Sequence, residues 1–240
     1  MPAYQSVFER YEKKYVITET QKEKLLSLIG GKLVPDEFGE STVCNLYFDT
    51  PDFRLIRASI ERPLYKEKLR LRSYGIPQES SNVFVELKKK YKGVVYKRRV
   101  NMTYGEAVDF LCRRNFPALD AQVYGEIAYF MGFYHSLRPT VSIFCDRTAY
   151  FSSEDRDVRV TFDRNIRFRN RMLDLSNGSD GEPVLENGLY VMEVKTLGAV
   201  PLWLSSALGE LEIYPRAFSK YGKAYEMMMF SPGQEYACHV

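Results

Sequence analysis

The 240 residues carry 34 lysines and arginines against 31 aspartates and glutamates, a net charge of +3, and are 45% hydrophobic and 14% aromatic. This balance excludes a disordered chain, and it excludes a nucleic-acid coat or membrane-binding tail that works by total charge. Any basic site must come from the arrangement of charge. No apolar run approaches the roughly 20 residues of a membrane-spanning helix. The opening stretch has no apolar core, so no signal peptide is expected. Cys44, Cys112, Cys145 and Cys238 show no paired spacing, so neither a disulfide framework nor a zinc site is expected and a cytoplasmic location fits. His135 and His239 are the only histidines, too few for histidine-based chemistry. The length fits one domain over 1–240, with a core from about 8 to 229 and a tail over 231–240.

In chain order, alternation predicts a strand over 7–17. Thr18 and Gln21 form a capping box that opens a helix to Ile29, where Gly30-Gly31 stops it. Strands follow over 42–49, 65–74, 82–90 and 94–102, with a turn at Asp49–Asp52 and a tight one at 91–93. Thr103 and Glu106 form a second capping box, and Asp120 reads as the cap of a helix over 121–134. Further strands are expected over 139–151, 157–168 and 189–196, with a surface loop at 176–183 between the last two. Short helices are expected over 203–208 and 217–229. The economical architecture is α+β: about eight antiparallel strands closed into a barrel, with helices packed outside.

The chemistry lies in which residues alternate. Lys66, Lys68, Arg70 and Arg72 share one strand face, opposite Leu69 and Leu71. Glu86 and Lys88 lie opposite Val85 and Leu87, Lys97 and Arg99 share a face, and Glu12 and Lys14 lie opposite Tyr11 and Tyr15. Glu193 and Lys195 lie opposite Met192 and Val194, and Arg159 opposite Val158 and Val160. A single charged face is commonly just solvated. Several neighbouring strands presenting like charge would repel one another unless an anion sat among them. With the basic face inward, the barrel becomes a charged tunnel suited to phosphate.

These segments, with Asp146-Arg147-Thr148, Met192-Glu193-Val194-Lys195 and Phe218-Ser219-Lys220-Tyr221, resemble the VTC domain from about Phe8 to Met229. That domain is the polyphosphate polymerase module of the triphosphate tunnel metalloenzyme superfamily. The resemblance implies catalytic phosphate-binding roles for Lys14, Arg70, Arg72, Lys88, Lys97, Arg147, Arg159 and Lys220. It implies a hydroxyl contact from Ser219 and a metal, Mn2+ or Mg2+, on Glu193. Glu12, Lys68, Glu86, Arg99 and Lys195 join the substrate-binding set through their places on the charged faces. Arg10 stands where the triphosphatase and cyclase branch has the first Glu of Glu-x-Glu-x-Lys, which favours the polymerase branch. Cys145 stands where a family tunnel can carry Tyr.

The expected partners are ATP or another triphosphate and inorganic polyphosphate. No nucleic acid is expected, and the sequence leaves a membrane protein partner open. The expected reaction moves the γ-phosphoryl group of ATP to the end of polyphosphate. A triphosphatase using water as acceptor and a non-catalytic polyphosphate sensor remain alternatives. Trp203, Cys112 and Met227-Met228-Met229 read as core packing, and His135 as a helix end. The basic run Arg164, Arg167, Arg169 and Arg171 reads as a solvated strand extension before it reads as a polyphosphate guide.

Overall fold

The computed structural model describes residues 11–61, 63–92, 94–115 and 122–230. Ten strands form one antiparallel sheet. They are β1 (Tyr11–Thr18), β2 (Leu33–Pro35), β3 (Ser41–Asp49), β4 (Tyr65–Tyr74) and β5 (Asn82–Tyr91). The others are β6 (Val94–Thr103), β7 (Arg138–Ser152), β8 (Arg159–Arg169), β9 (Glu182–Pro183) and β10 (Leu189–Thr196). Six α-helices accompany them among the described residues: α1 (Glu19–Ile29), α2 (Arg54–Ile60), α3 (Tyr104–Cys112), α4 (Gln122–Phe133), α5 (Leu202–Glu210) and α6 (Lys220–Phe230). The expected strand starting at Val7, the cap at Asp120 and the tail at 231–240 lie wholly or partly outside the described residues.

The strand order is β1-β10-β8-β7-β3-β4-β5-β6, with β2 on β7 and β9 on β8. Among the described residues no ladder joins β1 to β6, so hydrogen bonds do not close the expected barrel there. Period-two alternation fixes which face a side chain takes; it does not fix whether the last strand meets the first. The sheet nevertheless curls, because Lys88 Nζ on β5 reaches Glu12 Oε2 on β1 at 3.4 Å.

Both capping boxes form. Thr18 accepts from the Gln21 amide and Thr103 from the Glu106 amide, each with the reciprocal bond in place. The outer face is apolar. Leu69, Leu71, Val85 and Leu87 pack with Phe110, Ile127 and Phe130 of α3 and α4. Tyr15, Ile17, Val160 and Val194 pack with Leu25 of α1 and Leu204 of α5. Burying each of these large side chains contributes about 1.5–3 kcal/mol, so these helices hold the curved sheet from outside.

The inner face is split. Near β3 and β7, Val43, Tyr47 and Ile143 pack under Ile56 of α2 and Tyr221, Ala224 and Met228 of α6. Asp49 ties the two helices down. Its fully buried carboxylate accepts from the Thr50, Leu55 and Ile56 amides and from the Tyr221 hydroxyl. Burial raises its pKa despite these donors. The rest of the inner face is charged. Cys112, expected to be buried, is exposed at the end of α3; Cys44 and Cys145 are buried free thiols.

Candidate active site

Every strand around the charged interior contributes alternate residues to it, and the cations outnumber the acids. Among the described residues, ten basic side chains (Lys14, Lys68, Arg70, Arg72, Lys88, Lys97, Arg99, Arg147, Lys195 and Lys220) face four carboxylates, Glu12, Glu86, Asp163 and Glu193.

The first knot centres on Glu86, which is 1% exposed. Arg70 grips it through Nε at 2.8 Å and a terminal nitrogen at 2.7 Å. Lys97 lies at 2.5 Å, Arg99 at 3.7 Å and Arg72 at 3.9 Å. Burial would raise the Glu86 pKa, but Arg72, Arg70 and Lys97 hold it well below the carboxylate range. Burial also brings Lys97 down to about 8, with Arg72 and Arg70 adding to the effect and Glu86 opposing it. Register explains the convergence: Arg70 stands opposite Glu86, and Glu86 opposite Arg99. Arg70 also donates to the Tyr47 hydroxyl at 3.1 Å, and Arg72 donates to Asn45 at 2.9 Å. Burial favours the neutral Tyr47 phenol, but Arg70 and Arg72 override it and lower its pKa.

The second knot joins β7, β8, β10 and α6. Asp163 is fully buried and accepts from Arg147 at 2.5 and 2.7 Å and from Lys220 at 2.5 Å. Glu193 lies 3.2 Å from Lys195, 3.3 Å from Lys14 and 3.8 Å from Lys220. Lys14 also lies 3.3 Å from Glu12, so one ammonium sits between two carboxylates on adjacent strands. Burial opposes the charged form of Glu12, but Lys88, Lys14 and Lys195 outweigh it and hold its pKa down to about 2. Glu193 is likewise held well below the usual range by Lys14, Lys195 and Lys220 against burial.

Lys68 belongs to neither knot. Its Nζ lies 3.2 Å from Ser219 Oγ, the hydroxyl that also accepts from the Gly222 amide at the start of α6. Among the described residues no carboxylate lies within ion-pair distance of it.

The structure therefore brings Lys14, Arg70, Arg72, Lys88, Lys97, Arg147, Lys195, Lys220, Glu12, Glu86, Glu193, Lys68, Arg99 and Ser219 onto one interior. Arg159 stands at its rim, in register with Lys195 and paired to Asp36 at 3.2 Å. Sequence reasoning passed over Asp163, Asn45 and Tyr47. The signal for Asp163 was present, since Arg159, Thr161 and Asp163 alternate on one face. Three arginines of the second basic run are individually paired: Arg164 with Glu40, Arg167 with Asp146 and Arg169 with Asp180.

The family model for the VTC domain matches residues 9–229. The chain belongs to the VTC domain family. This VTC domain shares its fold with solved structures at low sequence identity. A candidate adenylate cyclase from Bacillus halodurans aligns at TM-score 0.55 and 14% identity, over 94% of this chain and 99% of that one. The adenylyl cyclase candidate HpAC1 from Hippeastrum, described as having a dominant triphosphatase activity, aligns at TM-score 0.55 and 16% identity, over 91% and 96%. A candidate adenylate cyclase from Vibrio parahaemolyticus aligns at TM-score 0.50 and 11% identity, over 91% and 98%. No curated protein sequence matches the chain. In this VTC domain no helix among the described residues is long and apolar enough to cross a membrane.

Proposed function

We propose that the charged interior is a phosphoryl-transfer site and that the protein is an ATP-dependent polyphosphate polymerase. The observation that carries this reading is the excess of ten inward cations over four carboxylates on one curved face. Such an excess repels itself in the empty state and is relieved by a ligand with many closely spaced negative charges. Phosphoryl transfer asks a protein mainly to align an acceptor and neutralise charge, which arginine and lysine do without a protein nucleophile.

In the proposed reaction an oxygen of the terminal phosphate of polyphosphate attacks the γ-phosphorus of ATP. The bond from that phosphorus to the β-bridging oxygen breaks, and ADP leaves with the electron pair. Arg70, Arg72 and Arg99 on one side, and Arg147 and Lys220 on the other, neutralise the phosphate oxygens. Asp163 holds Arg147 and Lys220 in place, as Glu86 holds Arg70 and Lys97.

Among the described residues no cluster of three or more acids, histidines or cysteines forms a protein-only metal cage. Glu193 and Glu12 nevertheless converge on the Lys14 ammonium, so the place between them already suits a cation. One or two carboxylates completed by substrate phosphates and water is the usual setting for Mg2+, and Mn2+ accepts the same oxygen ligands. The residues therefore fit such an ion, which supplies charge neutralisation on the phosphate oxygens when bound.

The second reading is a triphosphatase on tripolyphosphate or nucleoside triphosphates, favoured by the activity described for the Hippeastrum neighbour. Incubation with ATP, Mn2+ or Mg2+ and a short polyphosphate primer separates the two. Longer polyphosphate with ADP, abolished by Glu193→Ala and Arg70→Ala, is the expected result. Free phosphate without chain growth would establish the triphosphatase instead. Tight tripolyphosphate binding with neither product would leave a sensor.

A further inference from the structure

Among the ten described cations of the charged interior, Lys68 has surroundings unlike those of the paired lysines Lys14, Lys88, Lys97, Lys195 and Lys220. Lys68 stands opposite Lys88 on β5, and Lys88 stands opposite Lys97 on β6, so three ammonium groups form a row across three strands. Lys88 has Glu12 at 3.4 Å and Lys97 has Glu86 at 2.5 Å. Lys68 has a neutral partner, the Ser219 hydroxyl at 3.2 Å, and lies 5.8 Å from the centre of the Tyr221 ring. The charged groups that act on it most strongly are Lys14 on β1, Lys88 on β5, and Lys66 and Arg70 on its own strand, all positive. Like charge directly across a strand pair is destabilising, and a buried ammonium without a counter-charge sheds its proton readily.

We infer that Lys68 is an anion seat on the charged interior, and that a phosphate group entering beside it is bound together with one proton from solvent, taken up on the Lys68 amine. The inference rests on the phosphate-tunnel reading but not on turnover. Burial and the four neighbouring cations bring the Lys68 pKa down to about 7. A bound phosphate supplies the negative charge that these surroundings lack and returns the amine to its charged form. Proton uptake then grows as pH rises above 7, because more of the empty protein starts neutral. Affinity weakens over the same range, since a larger fraction must be protonated to bind. At pH 8 the neutral form exceeds the charged form by about tenfold, so affinity falls by about tenfold relative to a permanently charged residue.

The test is calorimetric titration of the full chain with tripolyphosphate, without divalent metal, at pH 6 and pH 8 in buffers of different ionisation enthalpy. The ligand titrates too, so the quantity read is the difference between the parent and Lys68→Arg, whose guanidinium stays charged throughout. The expected difference is close to one proton per site at pH 8 and close to zero at pH 6. Lys68→Met provides a second comparison, with weaker binding and no Lys68-linked uptake at either pH. Tripolyphosphate binding with the same proton uptake in parent and both variants would overturn the inference and leave the phosphate tunnel standing. Absence of tripolyphosphate binding to the parent would overturn the phosphate-tunnel reading itself, and this inference with it.

Discussion

Replacing Asp163 with Asn tests how the charged interior is held when no ligand is present. The carboxylate is fully buried, and its two oxygens take Arg147 and Lys220 at 2.5–2.7 Å. The asparagine keeps the shape but removes the charge, leaving a guanidinium and an ammonium buried in a region already rich in cations. Glu193, 3.8 Å from Lys220, offers partial compensation. Removing one partner from a buried ion pair costs about 3–5 kcal/mol. At roughly 2–4 °C per kcal/mol for a chain of this size, that is a fall of about 10 °C in melting temperature. The assay is a thermal melt at neutral pH with and without tripolyphosphate. The ligand should raise the variant's melting temperature by more than the parent's, because its charge takes the place of the lost carboxylate. A variant that melts within about 2 °C of the parent, or gains no more from ligand, would refute this account of the interior.

Two further outcomes follow from the same contacts. Glu12 has a folded pKa of about 2 against an ordinary 4.5. Its stabilisation is therefore complete above pH 4.5 and lost as pH falls toward 2, about 3 kcal/mol in all. Acid unfolding of Glu12→Gln should show a shallower stability loss across that window than the parent. Tyr221→Phe removes the hydroxyl donated to Asp49 at 2.9 Å and should cost about 1–3 kcal/mol. Amide exchange over residues 220–230 should quicken while that over α1 stays unchanged.

Much of this was legible in the sequence because the determinants are local. Thr18 with Gln21 and Thr103 with Glu106 are each complete within four residues, and alternation alone placed Arg70, Glu86, Lys97 and Glu193 on the charged face. Helix α2 was not legible, since the residue in its capping position, Phe53, has no side chain that can accept a hydrogen bond. Phe53 precedes it with φ of 58°, and the amides of Leu55 and Ile56 are satisfied by Asp49 instead. That long reach made Asp49 look like an ordinary turn residue. Asp163 alternates with Arg159, yet its importance depends on Arg147 and Lys220 arriving from other elements. Closure of the barrel was not legible for a related reason: strand pattern specifies faces, while the meeting of β1 and β6 depends on the whole curvature of the sheet.

The position of β1 in the sheet also constrains how the protein is made. This strand pairs only with β10 among the described residues, Tyr11 opposite Thr196. During synthesis it must wait, unpaired on both edges, until residues 189–196 have left the ribosome. Contacts so distant in sequence form slowly and leave strand edges exposed meanwhile. Lys220 comes later still, on the helix that follows every strand. A nascent chain can therefore complete its sheet before Asp163 has its second cation, and the Arg147–Asp163–Lys220 knot is assembled last.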